Sequence, residues 1–182
     1  MWQTISLALR EADPWLMLEV AWRELPPPHA DEVLLARGDY GAVRGFFHPR
    51  GLDPALSAHH QEWAQYAQEG GPAPPPGPHR WTRRRAWVRL LPTEIAPAYD
   101  VTIEMGSPFP SPNPSPIVTV TGNDGVAHRV PLAAQVRPYA LRIAPPAGEP
   151  LVLRIDSPVW SRIGEPADQG VRVDRVSVKP AT

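Results

Sequence analysis

The 182-residue chain has no cysteine, which excludes disulfide staples, thiolate nucleophiles and thiolate-ligated metals together. Lysine is almost missing too: of 18 basic residues, only Lys179 is a lysine. No phosphate-binding P-loop, G-x-G-x-x-G turn or G-x-S-x-G elbow occurs, so nucleotide chemistry and serine hydrolysis have no foothold. There is no excess charge of either sign. With 18 basic against 19 acidic residues the net charge is -1, so no bulk field draws the chain to nucleic acid, and none is expected as a partner. Long apolar runs are also lacking. The nearest, Ile5 to Leu25, is broken by Arg10, Glu11, Asp13, Pro14, Glu19, Arg23 and Glu24, and falls short of the roughly 20 apolar residues that span a bilayer. It also lacks the basic start, unbroken apolar stretch and small-residue cleavage site of a signal peptide.

What is abundant is proline and glycine, 26 and 13 residues. That much punctuation works against long helices and favours short strands joined by turns. Residues 1–25, rich in Trp and Leu, form either a short helix or an extended arm, and Pro26, Pro27 and Pro28 close this 1–30 segment as a stiff linker. The main domain is expected over 31–182. Strands are predicted at Val33–Ala36, Tyr40–Phe47 and Arg80–Leu91, where Thr82–Arg84 is either strand or turn. Further strands are predicted at Tyr99–Met105, Ile117–Thr121, Val126–Val130, Tyr139–Ile143, Leu151–Ile155 and Val171–Val178. Gly122-Asn123-Asp124-Gly125 supplies residues that tolerate positive φ between two of them, a hairpin signal. One helix, Asp53 to Gln68, followed by a proline-rich connector, is expected as an insertion at 53–78. Eight or nine short strands near ten-residue spacing predict an all-β antiparallel sandwich, a jelly roll with one inserted helix.

Three stretches recur in a known order: Asp39-Tyr40-Gly41-Ala42-Val43-Arg44-Gly45-Phe46-Phe47-His48-Pro49, then Arg80-Trp81-Thr82 with Ala86-Trp87-Val88-Arg89-Leu90, and Asp168-Gln169-Gly170-Val171-Arg172-Val173-Asp174-Arg175-Val176. In these the chain resembles carbohydrate-binding modules of the galactose-binding-like jelly-roll class, of the kind appended to multi-span, glycosyltransferase-like membrane proteins of Chloroflexi-type bacteria. The resemblance spans about Asp31 to Pro180 and departs from the pattern at Phe47 and His48-Pro49-Arg50 and in the insertion. It implies a non-catalytic accessory module on the cell envelope with a glycan as ligand. It also implies a structural calcium between Asp39 and Asp174, oxygen donors suited to that hard cation. The plainer reading of the same two residues is a turn-fixing Asp39 and a solvent-facing Asp174.

The residues themselves offer little catalytic chemistry. His59, His60 and Glu62 lack the helical spacing of a zinc site. Glu94, Asp100, Glu104, Asp156 and Asp174 lie on or near strands, where outward acids ordinarily serve solubility rather than glycoside cleavage. Aromatic platforms are the remaining lead, because sugars stack their C–H faces on flat rings. Trp160, Trp87 and Trp81 are the candidate ligand-binding residues. Trp160 is the expected free platform; Trp87 is either a partly exposed stacking surface or packed beneath the inserted helix with Trp63 and Tyr66. The alternative function is a structural or protein-interaction module that docks on a membrane-protein partner or larger assembly through residues 1–25 and the inserted helix.

Overall fold

The computed structural model describes residues 14–47, 78–107, 115–133, 135–159 and 169–182. The expected helix at 53–68 with its connector, and Trp160, lie outside the described residues. One helix, α1 (Pro14–Glu24), precedes nine strands: β1 Glu32–Leu34, β2 Val43–Phe46, β3 Arg80–Leu90, β4 Tyr99–Gly106, β5 Ile117–Gly122, β6 Ala127–Pro131, β7 Arg137–Ile143, β8 Leu151–Asp156 and β9 Arg172–Pro180. Every pairing between these strands is antiparallel, and the all-β class is as the sequence predicts.

The strands run in the order β6-β5-β8-β3-β9-β4-β7, with β1 added to β9 and β2 to β3. β3 makes the turn between the two halves of the sandwich. Its second half, Arg85 to Leu90, pairs with β8, and its first residues, Arg80 and Trp81, pair with β9. Thr82–Arg84 is therefore strand, the point where one strand changes partners, and not a turn.

Alternation builds the core. β4 and β8 bury every second residue, Val101, Ile103 and Met105 on one, Leu151, Leu153 and Ile155 on the other. These join Ala86, Val88 and Leu90 of β3 and Val118 and Val120 of β5 in one continuous cluster between the halves. The β5–β6 connection is the expected hairpin: Gly125 takes φ 80°, and the Asp124 carboxylate accepts from Val126 and Ala144 N–H groups.

Of the two alternatives for the N-terminal segment, residues 14–24 form the helix. Pro14 starts α1 rather than interrupting it, as proline does at a first helical position, where its missing N–H costs nothing. The helix is docked and not a free arm: Leu18 is 1% exposed and belongs to the core cluster. The linker is docked as well, since Leu91 N–H donates to the Pro28 carbonyl and Ala30 N–H to the Leu91 carbonyl. No helix among the described residues is long and apolar enough to cross a membrane.

Candidate functional site

Three of the sequence-predicted site residues meet at one end of the sandwich, around the β1–β2 turn. Leu35 N–H donates to the Asp174 carbonyl and Ala36 N–H to Asp39 Oδ2, so the turn ties the two aspartates' segments together as the calcium expectation required. Their carboxylates, however, already have cationic partners. Arg80 grips Asp39 with two bonds, Nε to Oδ2 at 2.5 Å and Nη2 to Oδ1 at 2.8 Å, both side chains fully buried. Arg172 grips Asp174 in the same two-pronged way at 2.6 and 2.8 Å. A fork of N–H donors aimed at both oxygens takes the lone pairs a calcium ion would use. No group of three or more His, Cys, Asp or Glu able to hold a metal ion occurs among the described residues.

Trp81 is corrected outright. It is 2% exposed, one of the largest buried side chains, and stands edge-on to His79 with ring centroids 5.9 Å apart. Its burial follows from register: Trp81 pairs with Arg172 where β3 crosses from one half to the other, so its ring is enclosed at the join and cannot serve as a sugar platform.

Beside this buried network lies a cleft of about 290 Å³ lined by Leu34, Arg37, Pro78, Glu104, Asp174 and Arg175. Its charges largely cancel. Arg175 bonds Glu104 and reaches Glu32 at 3.4 Å, and the Glu104 bond holds the Arg175 guanidinium above its ordinary pKa.

The outer face of β2, β3, β8, β5 and β6 is different. Alternation that sends Ala86, Val88 and Leu90 inward turns Arg85, Trp87 and Arg89 outward. Register then aligns them with neighbours. One row across the strands reads Arg44, Trp87, Arg154, Thr121; the next reads Arg85, Asp156, Thr119, Arg129. Asp156 accepts from Arg85 and Arg154, each at 2.7 Å, and is the one carboxylate among the described outward residues of these five strands.

Trp87 sits in this face half-buried, with the Arg44 guanidinium 4.0 Å from its ring centroid. Arg44 also approaches Trp22 of α1 at 5.1 Å, and Arg89 lies 4.3 Å over that same ring. The two arginines have unequal roles. Arg89 closes the helix end, donating to the Trp22 and Leu25 carbonyls at 2.6 Å and to the Gly41 carbonyl at 2.7 Å, which satisfies carbonyls the helix leaves open. Desolvation, and then the Arg44 charge beside it, lower the Arg89 pKa. Arg44 makes no hydrogen bond among the described residues, and its Nε is buried without an acceptor. At the other end of the row the Thr121 hydroxyl is buried and equally unpartnered. Leaving a buried donor unmet costs about 1–3 kcal/mol.

No family model matches the chain, and no curated protein matches it. Solved structures that match part of the chain include two at low identity. One is a family GH115 4-O-methyl-α-glucuronidase with specificity for decorated arabinogalactans, 11% identical with a TM-score of 0.41, covering 57% of this chain and 14% of that one. The other is a ruminal GH26 endo-β-1,4-mannanase, 13% identical with a TM-score of 0.35, covering 56% of this chain and 19% of that one. The chain thus spans less than a fifth of either.

Sequence reasoning found Trp87 but not Arg44, Arg154 or Thr121 as its neighbours. The missing signal is register. β2 has four residues and a bulge between Arg44 and Phe46, and no local pattern says that Arg44 lands opposite Trp87.

Proposed function

We propose that this chain is a non-catalytic carbohydrate-binding module whose glycan lies across the outer face of β2, β3, β8, β5 and β6. The observation that carries this reading is the aligned row of Arg44, Trp87, Arg154 and Thr121, backed by Arg85, Asp156 and Thr119. Planar guanidinium and carboxylate groups give and take paired hydrogen bonds, which suits adjacent hydroxyls on a sugar ring. Strands stand about 4.8 Å apart, close to the length of one pyranose in a linear chain, so successive sugars meet successive strands. Four of the five carboxylates named as candidate glycosidase acids, Asp100, Glu104, Asp156 and Asp174, are each matched to an arginine and serve as hydrogen-bond acceptors, which supports a binding role, while Glu94 is exposed.

A panel of neutral and acidic polysaccharides in native affinity gels tests the reading with the intact chain. Retardation by at least one, reduced by Trp87→Ala without loss of the folded spectrum, is the expected result; free migration in every gel refutes it. The cell-envelope location and a role as accessory to a larger membrane protein belong to the same proposal.

A second reading, docking on a protein partner, is favoured by one feature. An apolar cleft of about 550 Å³ at the opposite end is lined by Leu91, Pro92, Ile95, Pro97, Tyr99 and Pro146 among others, and Ile95 is 90% exposed. On this reading Ile95→Asp, and not Trp87→Ala, abolishes association.

A further inference from the structure

The outer sheet face carries more positive charge than its structural duties explain. The whole chain has a net charge of -1, yet this face sets Arg44, Arg85, Arg89, Arg129 and Arg154 against Asp156 alone among its described outward residues. Four of the five have visible roles or freedom. Arg85 and Arg154 share Asp156, Arg89 closes the helix, and Arg129 is exposed on β6. Arg44 is the exception. Its guanidinium is held between the rings of Trp22 and Trp87, beside the like charge of Arg89, with no carboxylate and no hydrogen bond among the described residues. Contacts of 4.0 Å with the Trp87 ring and 5.1 Å with the Trp22 ring restrict the guanidinium before any ligand arrives.

We propose that Arg44 is the receptor for an oxyanion, a carboxylate or a sulfate ester, carried on a linear glycan laid along the row Arg44, Trp87, Arg154, Thr121. A pre-oriented guanidinium fork accepts a planar carboxylate with two parallel bonds and a sulfate nearly as well, and an anion there also relieves the repulsion between Arg44 and Arg89. The inference rests on the glycan-binding reading above and narrows it to acidic glycans. A glycan is favoured over nucleic acid because the chain has a net charge of -1 and so no bulk field to hold a phosphate backbone.

The test uses the intact chain and four probes: polygalacturonate, the same polymer highly methyl-esterified, dextran sulfate, and a short DNA duplex, with affinities measured by calorimetry. Polygalacturonate and dextran sulfate should bind, and methyl esterification should weaken binding by about tenfold or more, the worth of one charge-assisted paired contact. Arg44→Gln should remove most of that difference; Arg44→Lys should restore only part of it, because an ammonium is a point charge without the fork. If Arg44→Gln does not fold, Arg154→Gln, at a side chain 42% exposed, should narrow the same difference. Equal affinity of the wild-type chain for acidic and esterified polymer overturns the oxyanion inference and leaves the glycan reading standing. Absence of binding to all three polysaccharides overturns both. Tighter binding of the duplex than of either acidic polymer overturns the choice of glycan.

Discussion

At the scale of single residues, the molecule depends on a charged pair that has left water altogether. Asp39 and Arg80 are both buried, and Asp39 additionally anchors Ala36, whose φ of 73° is the one non-glycine positive φ among the described residues. Such a pair holds its segments in register more than it adds net stability, since each charge loses its hydration to be there. Asp39→Ala should therefore cost about 3–5 kcal/mol in urea unfolding, because it strands the Arg80 charge in the interior. Replacing both partners together, Asp39→Leu with Arg80→Met, should recover most of that loss; a double variant as unstable as the single one would mean the pair itself was favourable.

At the surface, Asp31 accepts from the Thr93 hydroxyl and from its backbone N–H at 2.9 Å, and both lower its pKa. The lowered value means that its contribution is present above the unfolded-state pKa and is lost as pH falls through the folded-state value. Thr93→Val removes the hydroxyl but keeps the N–H, so a carboxyl titration followed by NMR should move part of the way back towards the ordinary range.

At the scale of elements, α1 and the kinked pairing of β2 with β3 determine whether the face exists. Leu18 ties the helix to the core, and Arg89 ties the helix's last carbonyls to β3. Leu18→Ala should destabilise the fold by roughly 2–5 kcal/mol, measured by thermal or urea unfolding. Deleting residues 1–25 should give an aggregating or partly unfolded chain, the opposite of what a separate arm would give. Gly45 is just as specific. It has φ 72°, and a Cβ there would collide with the Arg85 carbonyl, so Gly45→Ala should break the bulge that sets Arg44 opposite Trp87. Loss of the Trp87 environment in near-UV circular dichroism would report it.

These elements also show what was legible beforehand. Strands with clean alternation, such as Tyr99–Met105 and Leu151–Ile155, are found within a residue or two of where the periodicity puts them, because burial of one face dictates the pattern. α1 was ambiguous because Pro14 is compatible both with a break and with a first helical position. Trp81 was misjudged because three consecutive residues, Arg80, Trp81 and Thr82, are buried where β3 passes between the halves, and alternation fails at such a join. The pairing of Asp39 with Arg80, 41 positions away, is a tertiary fact with no local signature.

At the scale of the whole molecule, a nearly neutral chain separates its charge. The end cleft near Arg175 is balanced by its own carboxylates, while the outer sheet face keeps an excess of arginine around a half-buried tryptophan. A β-sandwich accommodates this cheaply, because the core uses only the inward half of each strand and leaves the outward half free for recognition. The central claim is that this outward half is the ligand surface, and hydrogen–deuterium exchange with and without polygalacturonate tests it most directly. Protection should rise along β2, β3 and β8, at Val43–Phe46, Arg85–Arg89 and Val152–Asp156. Protection confined to the cleft around Arg37 and Arg175, or to the apolar end around Ile95, would contradict it.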